Sequence, residues 1–174
     1  IKKGVKMYWK ESLKIQYESI AQMFKNEQLE KEANELIKKI KNTAGFVYFT
    51  GIGKNGFVAA KVASTFNSLG IRSLFVDPVN TLHGDMNIFT DKDIIIAISK
   101  SGETEELIHF IDTLKKTADT YIVSIVSKDN STLEKLSGMT VHVPVLHEGD
   151  HLNLAPVASS VVFMSFLQSL AVQI

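Results

Sequence analysis

The sequence contains no cysteine and only three prolines among 174 residues. The lack of cysteine excludes disulfide scaffolds, thiolate metal sites and cysteine nucleophiles, although sites built from histidine or carboxylates remain open. An excess of charge is also lacking, because 19 Lys and Arg residues balance 19 Asp and Glu residues. A neutral chain argues against a polyanion-binding surface, so nucleic acid is not an expected partner. The cytoplasm, where thiols stay reduced, is the default location for such a chain.

A long uninterrupted hydrophobic run is lacking as well. The first ten residues carry four lysines and no apolar core of signal-peptide length, and the sequence begins with Ile rather than Met, as a piece of a longer protein would. Residues 152–174 carry no formal charge, but Pro156 and several Ser, Asn and Gln residues interrupt them. We therefore expect no membrane partner here, but a helix that is apolar all round and buried against another subunit.

The composition indicates one globular domain over residues 1–174, with 45% hydrophobic and 22% charged residues. Residues 1–45 hold ten lysines against six acidic residues. Their apolar residues recur at helical spacing, which predicts two N-terminal helices with a break near Asn26. The remaining residues, 46–174, are expected to form a β/α core and a closing helix.

Short apolar runs after Gly45 predict five strands, at 46–50, 73–76, 93–99, 120–127 and 139–145. Segments of helical length separate the first four, at 56–69, 79–88 and 103–116, and a final helix follows from about Ala155. Continuous apolar strands that alternate with helices are typical of a parallel sheet covered on both faces. The predicted fold class is α/β, with a doubly wound five-stranded parallel sheet flanked by helices.

The loops after the strands carry the candidate functional residues, because ligands of such sheets bind at the carboxyl ends of the strands. Gly51 to Gly56 matches G-x-G-x-x-G, and Asp77 follows where a dinucleotide-binding fold places its ribose-binding acid, so that alternative stays open. Lys54 in the same loop could pair with a phosphate or a developing oxyanion.

The loop after the third strand groups three hydroxyl side chains, Ser99, Ser101 and Thr104, at the start of a helix. Hydroxyls beside free helix amides, with Gly102 allowing close approach, favour a single terminal phosphate such as that of a sugar phosphate. Capping of the helix by Ser101 is the alternative interpretation. The glutamates that follow would repel a phosphate, so at least one of them needs another function.

Two further loops supply groups that can move protons. His83 lies in a His-Gly-Asp loop after the second strand, and the last loop reads His147-Glu148-Gly149-Asp150-His151. Metal binding by the last loop is less favoured, because its residues lie too close together in sequence to ligate one ion comfortably. A carboxylate base at Glu148 is the better use of this loop.

The motifs G-I-G-K-N-G, H-G-D, S-K-S-G-E-T-E-E and L-A-P, in this order, resemble the sugar isomerase (SIS) domain over residues 40–174. Within that family they look like the arabinose 5-phosphate isomerases. The resemblance implies a SIS-type, flavodoxin-like fold, a phosphorylated sugar as partner, and interconversion of arabinose 5-phosphate and ribulose 5-phosphate without a metal or nicotinamide cofactor. It also implies a homotetramer whose sites are shared between subunits.

The resemblance also assigns residues. Ser99, Ser101 and Thr104 would hold the phosphate, Gly53 and Asn55 would line its approach, and the catalytic positions would be Lys54, His83, Glu106 and Glu148. The family places a further histidine beyond the final helix, in a segment like S-H-P-G, and many relatives carry paired CBS domains there. The sequence ends at Ile174, before such a segment.

An aldose–ketose isomerase removes a proton next to a carbonyl and returns it to the adjacent carbon, which one carboxylate can do. Glu148 is the first candidate and Glu106 the second, and we expect desolvation to raise the proton affinity of this base. A non-catalytic sugar-phosphate sensor remains an alternative, since it needs the hydroxyl loop but not the glutamates. A dinucleotide-binding module is the third interpretation.

Overall fold

The structure is a computed structural model, and it describes residues 8–174. It confirms the predicted fold class, with a five-stranded, all-parallel sheet in the order β2-β1-β3-β4-β5 and helices on both faces. The strands are β1 (Val47–Gly51), β2 (Ser73–Phe75), β3 (Ile94–Ile98), β4 (Tyr121–Val126) and β5 (Met139–His142). The helices are α1 (Trp9–Met23), α2 (Glu27–Asn42), α3 (Lys54–Ser68), α4 (Pro78–Thr81), α5 (Glu105–Thr117), α6 (Thr132–Leu136) and α7 (Ala158–Gln173), with a short 3-10 helix at Met86–Ile88.

The sheet separates two hydrophobic cores. On one face, α2, α3 and α7 pack against it, and Phe49 of β1 meets Phe66 of α3 edge to face at 4.9 Å. On the other face, α5 and α6 cover it, and Tyr48 packs in the same way on Phe89 at 5.0 Å. All five residues of β1 and of β3 are buried, which explains why these strands read as continuous apolar runs.

The N-terminal segment forms two helices, with the break where the spacing predicts it. Asn26 is the N-cap residue of α2, and its Oδ1 accepts a hydrogen bond from the Leu29 amide at 3.0 Å. Residues 1–7 of the predicted segment lie outside the described residues.

One predicted helix is wrong. Residues 79–88 do not form a continuous helix: α4 ends at Thr81, and a turn that contains Gly84 at φ 150° leads into the 3-10 helix. The sequence prediction also missed the short helix α6, extended the last strand beyond His142, and began the final helix before Ala158.

The uncharged helix α7 is half-buried within the chain itself, and burial of its remaining surface against another subunit stays a prediction. Eight of its residues are buried, and it packs against α1 and α3. Within residues 8–174, no helix is both long enough and apolar enough to cross a membrane.

Candidate active site

The candidate site lies at the carboxyl edge of the sheet, where the strand order reverses between β1 and β3. The chain leaves these two neighbouring strands toward opposite faces, so their loops diverge and a crevice opens between them. A cavity of about 310 Å³ occupies this position. Its lining residues come from the start of α3, from the loops after β3, β4 and β5 and from the start of α7: Asn55, Ser99, Lys100, Ser101, Thr104, Lys128, Glu148, Leu154, Pro156 and Ser159.

The loop between β3 and α5 presents the three predicted hydroxyls, and we call residues 99–104 the hydroxyl loop. Ser99 Oγ lies 2.9 Å from Thr104 Oγ1 and accepts a hydrogen bond from the Gly102 amide at 3.1 Å. Ser101 Oγ accepts from the Glu103 amide at 3.2 Å. Thr104 is the N-cap residue of α5 but makes no side-chain cap, so the first amides of this helix stay available to an anion.

Contacts with the neighbouring helix α6 fix the hydroxyl loop. Gly102 has a φ of +67°, and a Cβ at this position would lie 2.2 Å from Ser131 Oγ. Only glycine combines this backbone conformation with so close an approach. On the same side, Glu103 Oε1 accepts a hydrogen bond from the Thr132 amide at 2.8 Å, which lowers the pKa of Glu103.

The hydrogen bond from the Thr132 amide gives a structural role to Glu103, one of the three glutamates that would repel a phosphate. Glu103 serves α6, while Glu105 and Glu106 lie exposed on the first turn of α5. None of the three lines the cavity.

The Glu148 carboxylate is the most buried charged group of the site, with 2% of the residue exposed. Its Oε1 accepts a hydrogen bond from Lys100 Nζ at 2.6 Å, and its Oε2 accepts from the Ser159 amide and hydroxyl, each at 3.1 Å. Burial by itself raises the pKa of Glu148, but the Lys100 ammonium and the two Ser159 donors outweigh it and hold the pKa below its usual value. The expectation of a raised proton affinity is therefore wrong for the unliganded site.

The rest of the last loop holds Glu148 in place. Glu148 donates its amide to Asn153 Oδ1 at 2.8 Å, and its carbonyl accepts from the Ala158 amide at 3.1 Å. The Asp150 carboxylate accepts from the amides of Leu152, Leu154 and Ala155. Asp150 thus serves the loop backbone, and no group of three or more His, Asp or Glu residues within 8–174 is arranged to hold a metal ion.

The glycine-rich loop joins β1 to α3 by a tight turn. A Cβ on Gly56 would lie 2.9 Å from the Gly51 carbonyl oxygen, so strand and helix meet too closely here for any side chain. Asn55 from this turn reaches the cavity, and its Oδ1 is buried without a hydrogen-bond partner among the described residues.

The structure brings together five of the nine predicted site residues, since Asn55, Glu148 and the three hydroxyl residues line one cavity. The other four, Gly53, Lys54, His83 and Glu106, are exposed and line no part of it. Asp77, on which the dinucleotide alternative depends, caps α4 by accepting from the Asn80 amide at 2.8 Å.

Three polar residues of the cavity escaped the sequence prediction: Lys100, Lys128 and Ser159. Lys100 stands between two of the predicted hydroxyl residues, so its place in the motif was a usable signal. Ser159 follows the L-A-P motif and had no signal of its own, because its partner Glu148 is 11 residues away. Lys128 lies on the exposed loop after β4.

Comparison with protein families matches residues 42–173 to the SIS domain. The arabinose 5-phosphate isomerase KpsF of Escherichia coli O6:H1 is 34% identical over 137 residues, which are 79% of this chain and 42% of that protein. The arabinose 5-phosphate isomerase KdsD of Salmonella typhi is 32% identical over 163 residues, which are 94% of this chain and 49% of that protein. The chain thus spans less than half the length of these relatives.

Two solved structures are similar to this chain in overall fold. The E. coli CFT073 protein c3406, in complex with arabinose 5-phosphate, has a TM-score of 0.89 and 33% identity and covers 94% of this chain and 86% of its own. The Vibrio vulnificus NanR protein, complexed with ManNAc-6P, has a TM-score of 0.77 and 19% identity and covers 93% of this chain and 60% of its own. The second likeness shows the fold alone.

Proposed function

Because the chain belongs to the SIS domain family, we propose that it is a sugar-phosphate aldose–ketose isomerase that interconverts arabinose 5-phosphate and ribulose 5-phosphate. One observation carries the proposal: the hydroxyl loop and the buried Glu148 carboxylate line the same cavity. A ligand in this cavity would contact the proposed phosphate site and the proposed base together. The similarity to KpsF, KdsD and the complex of c3406 supports this choice of sugar.

In the proposed complex, the phosphate binds at the hydroxyl loop, where hydroxyls and the first amides of α5 supply donors to an anion. Asn55, which lines the cavity, and Gly53, which is exposed outside it, form the proposed approach for the phosphate. The reaction moves one proton and rearranges electrons within the sugar, so the proposal requires neither a metal nor a nicotinamide cofactor.

The proposed chemistry is a proton transfer between adjacent carbons. Glu148 removes the proton next to the carbonyl, which gives an enediolate, and returns it to the neighbouring carbon. Lys54 stabilises the enediolate charge, and His83 assists ring opening or relays protons between the sugar oxygens. Glu106 is the second candidate for the base.

Lys54, His83 and Glu106 line no part of the cavity in a single chain, so this proposal extends to the assembly. We propose a homotetramer in which neighbouring subunits complete each site, located in the cytoplasm.

The test uses the protein with any segments beyond Ile174. It measures isomerisation of a panel of pentose and hexose phosphates and incorporation of deuterium from heavy water at the carbon next to the carbonyl. We expect turnover and deuterium uptake with arabinose 5-phosphate. Turnover of a different sugar phosphate alone would overturn the choice of substrate, and the absence of both signals would overturn the isomerase assignment.

A sugar-phosphate sensor without catalysis is the second candidate. The observation that favours it is the separation described above: the three hydroxyl side chains of the hydroxyl loop line the cavity within one chain, whereas three of the four proposed catalytic residues lie outside it. Saturable binding of arabinose 5-phosphate without deuterium uptake, in a protein that includes any segments beyond Ile174, would favour the sensor over the isomerase.

A further inference from the structure

The ion pair of Lys100 and Glu148 joins two parts of the site that the proposed function uses separately. Lys100 stands between Ser99 and Ser101 in the hydroxyl loop, and its Nζ lies 2.6 Å from Glu148 Oε1 on the loop after β5. The Lys100 backbone is fixed, because its carbonyl accepts a hydrogen bond from the Ser127 amide at 3.0 Å. The Lys100 side chain lines the cavity and keeps 32% of its surface exposed, against 3% for that of Glu148.

In this arrangement Glu148 is a poor base. Both carboxylate oxygens are engaged, Oε1 by the Lys100 ammonium and Oε2 by Ser159. A general base needs an oxygen within hydrogen-bond reach of the proton that it removes, and a proton affinity that suits the transfer. The Lys100 ammonium occupies Oε1, which is therefore not open to a substrate proton, and it lowers the proton affinity of the carboxylate.

A phosphate at the hydroxyl loop changes the surroundings of Lys100. A phosphate ester carries nearly two negative charges at neutral pH, whereas Glu148 carries one and has Ser159 as a second partner. The lysine side chain is a flexible four-carbon stem with a mobile charge, so its head can move between two anions that share a cavity.

We propose that Lys100 is a positioning residue that couples binding of the substrate phosphate to release of Glu148 as the base. In the unliganded site its ammonium holds Glu148 Oε1. When a phosphate binds at the hydroxyl loop, the ammonium moves to a phosphate oxygen and keeps its proton, and no covalent bond changes. Oε1 then faces the sugar, while Ser159 keeps Oε2 fixed. The proposal rests on the proposed function only in that the hydroxyl loop binds phosphate.

The coupling has a consequence for specificity. A sugar without a phosphate leaves Lys100 on Glu148, so the base stays blocked even when the sugar enters the cavity. Discrimination in favour of phosphorylated sugars then appears in the catalytic step as well as in binding.

Two measurements on the 174-residue chain test the coupling, with inorganic phosphate as the probe. The first is a crystal structure with phosphate, in which we expect the ion at the hydroxyl loop and Lys100 Nζ hydrogen-bonded to it instead of to Glu148. The second is a carbon-13 NMR titration of the Glu148 carboxylate, assigned by its loss in Glu148→Gln, in the native chain, Lys100→Met and Lys128→Met. Lys128→Met is the matched control, because it removes the other cavity lysine.

We expect phosphate to raise the titration midpoint of Glu148 in the native chain. Lys100→Met should start from a higher midpoint than the native chain and respond less to phosphate, because only direct repulsion remains. Lys128→Met should keep the native midpoint and most of the response. Phosphate bound at the loop with Lys100 still on Glu148, or equal phosphate responses in the native chain and Lys100→Met, would overturn the coupling.

Failure of the coupling and failure of the proposed function give different results. If phosphate binds at the hydroxyl loop while Lys100 stays on Glu148, the proposed coupling is wrong but the proposed isomerase activity is not affected. The expected lysine movement without turnover of any sugar phosphate keeps the coupling and removes the isomerase. If phosphate does not bind at all, both proposals fall.

Discussion

Glu148 has a structural role, since its carboxylate is buried, ion-paired and bonded to the first turn of α7, and the proposed function gives it a catalytic role as well. A glutamine at this position keeps the size and one carbonyl oxygen but cannot take up a proton. Whatever remains of the activity after this change measures what the rest of the cavity contributes.

For Glu148→Gln we expect turnover of arabinose 5-phosphate to fall by about a hundred-fold or more, the usual contribution of a general base. Binding of inorganic phosphate, measured by calorimetry, is expected to persist, because the hydroxyl loop is unchanged. Glu105→Gln is the control, since Glu105 is exposed and outside the cavity. Equal turnover in the two variants would remove Glu148 as the base.

Gly102 is the residue that the hydroxyl loop can least replace. An alanine there adds a Cβ 2.2 Å from Ser131 Oγ, at a φ of +67°. We expect Gly102→Ala to lower the free energy of unfolding by about 1–2 kcal/mol for the left-handed backbone and by about 1–3 kcal/mol more for the overlap.

Gly70→Ala separates these two effects in urea unfolding. Gly70 has a φ of +85°, and nothing lies within 4 Å of a Cβ built there. Only the backbone cost applies to Gly70→Ala, so its loss of stability is expected to be the smaller one. Equal losses would show that contact with α6 does not constrain the loop.

At the scale of elements, β5 is linked to two helices through His142. His142 Nδ1 lies 3.2 Å from Glu32 Oε1 of α2, and Nε2 lies 3.5 Å from Asp129 and 3.6 Å from Glu134 of α6. Burial by itself lowers the pKa of His142, but the hydrogen bond to Glu32 and the three carboxylates together raise it above its usual value.

A raised folded-state pKa means that protonated His142 stabilises the fold. This contribution is complete below the ordinary histidine pKa and is lost as the pH rises through the raised value. We expect the native chain to lose more unfolding free energy than His142→Gln between about pH 5.5 and about pH 8.5 in urea titrations. His109→Gln, an exposed change on α5, is expected to follow the native chain. Parallel curves for the native chain and His142→Gln would contradict this link.

The elements differ in how far the sequence predicts them. The central strands were predictable because burial on both faces makes them continuously apolar, as Ile94–Ile98 shows. The prediction of one helix over residues 79–88 was wrong because Val79, Leu82 and Met86 recur at helical spacing on either side of a turn at Gly84. The five-residue helix α6 is too short to show a periodic pattern.

The site, too, could be predicted only where its residues lie close together in the sequence. The hydroxyl loop was predictable, since its residues are contiguous and follow a strand. The pair of Lys100 and Glu148 was not, because 48 residues separate its members and only the folded sheet brings their loops together. The direction of the Glu148 pKa shift depends on that pair, so the sequence prediction had the wrong sign.

At the scale of the whole molecule, α1 and its C-cap residue present an exposed apolar stripe, formed by Trp9, Leu13 and Tyr17 of the helix and by Phe24 at its end. Their spacing places them on one face of the helix, with exposed fractions from 55% to 86%. Grouped exposed aromatic residues mark contact surfaces more often than free surface. The stripe therefore supports the proposed homotetramer and is the first place to test it.

Tyr17→Lys places a charge in this stripe, which opposes burial of the surface in a contact. We expect light scattering to give a tetramer for the native chain and a smaller species for Tyr17→Lys at the same concentration. Gln22→Lys adds the same charge on an exposed part of α1 off the stripe and is expected to keep the native molar mass. A monomeric native chain, or a tetramer in both variants, would exclude the stripe as a subunit contact.

Attachment of Glu148 to Ser159 also has a dynamic consequence. The carboxylate belongs to a surface loop, yet one of its oxygens is held by an amide at the start of a helix packed in the core. The Glu148 carboxylate is therefore held as firmly as the core helix, and any opening of the loop must break its hydrogen bond to the start of α7. In hydrogen–deuterium exchange, the Ser159 amide is then expected to exchange as slowly as the strand amides of the central sheet, far more slowly than its neighbours in residues 150–156.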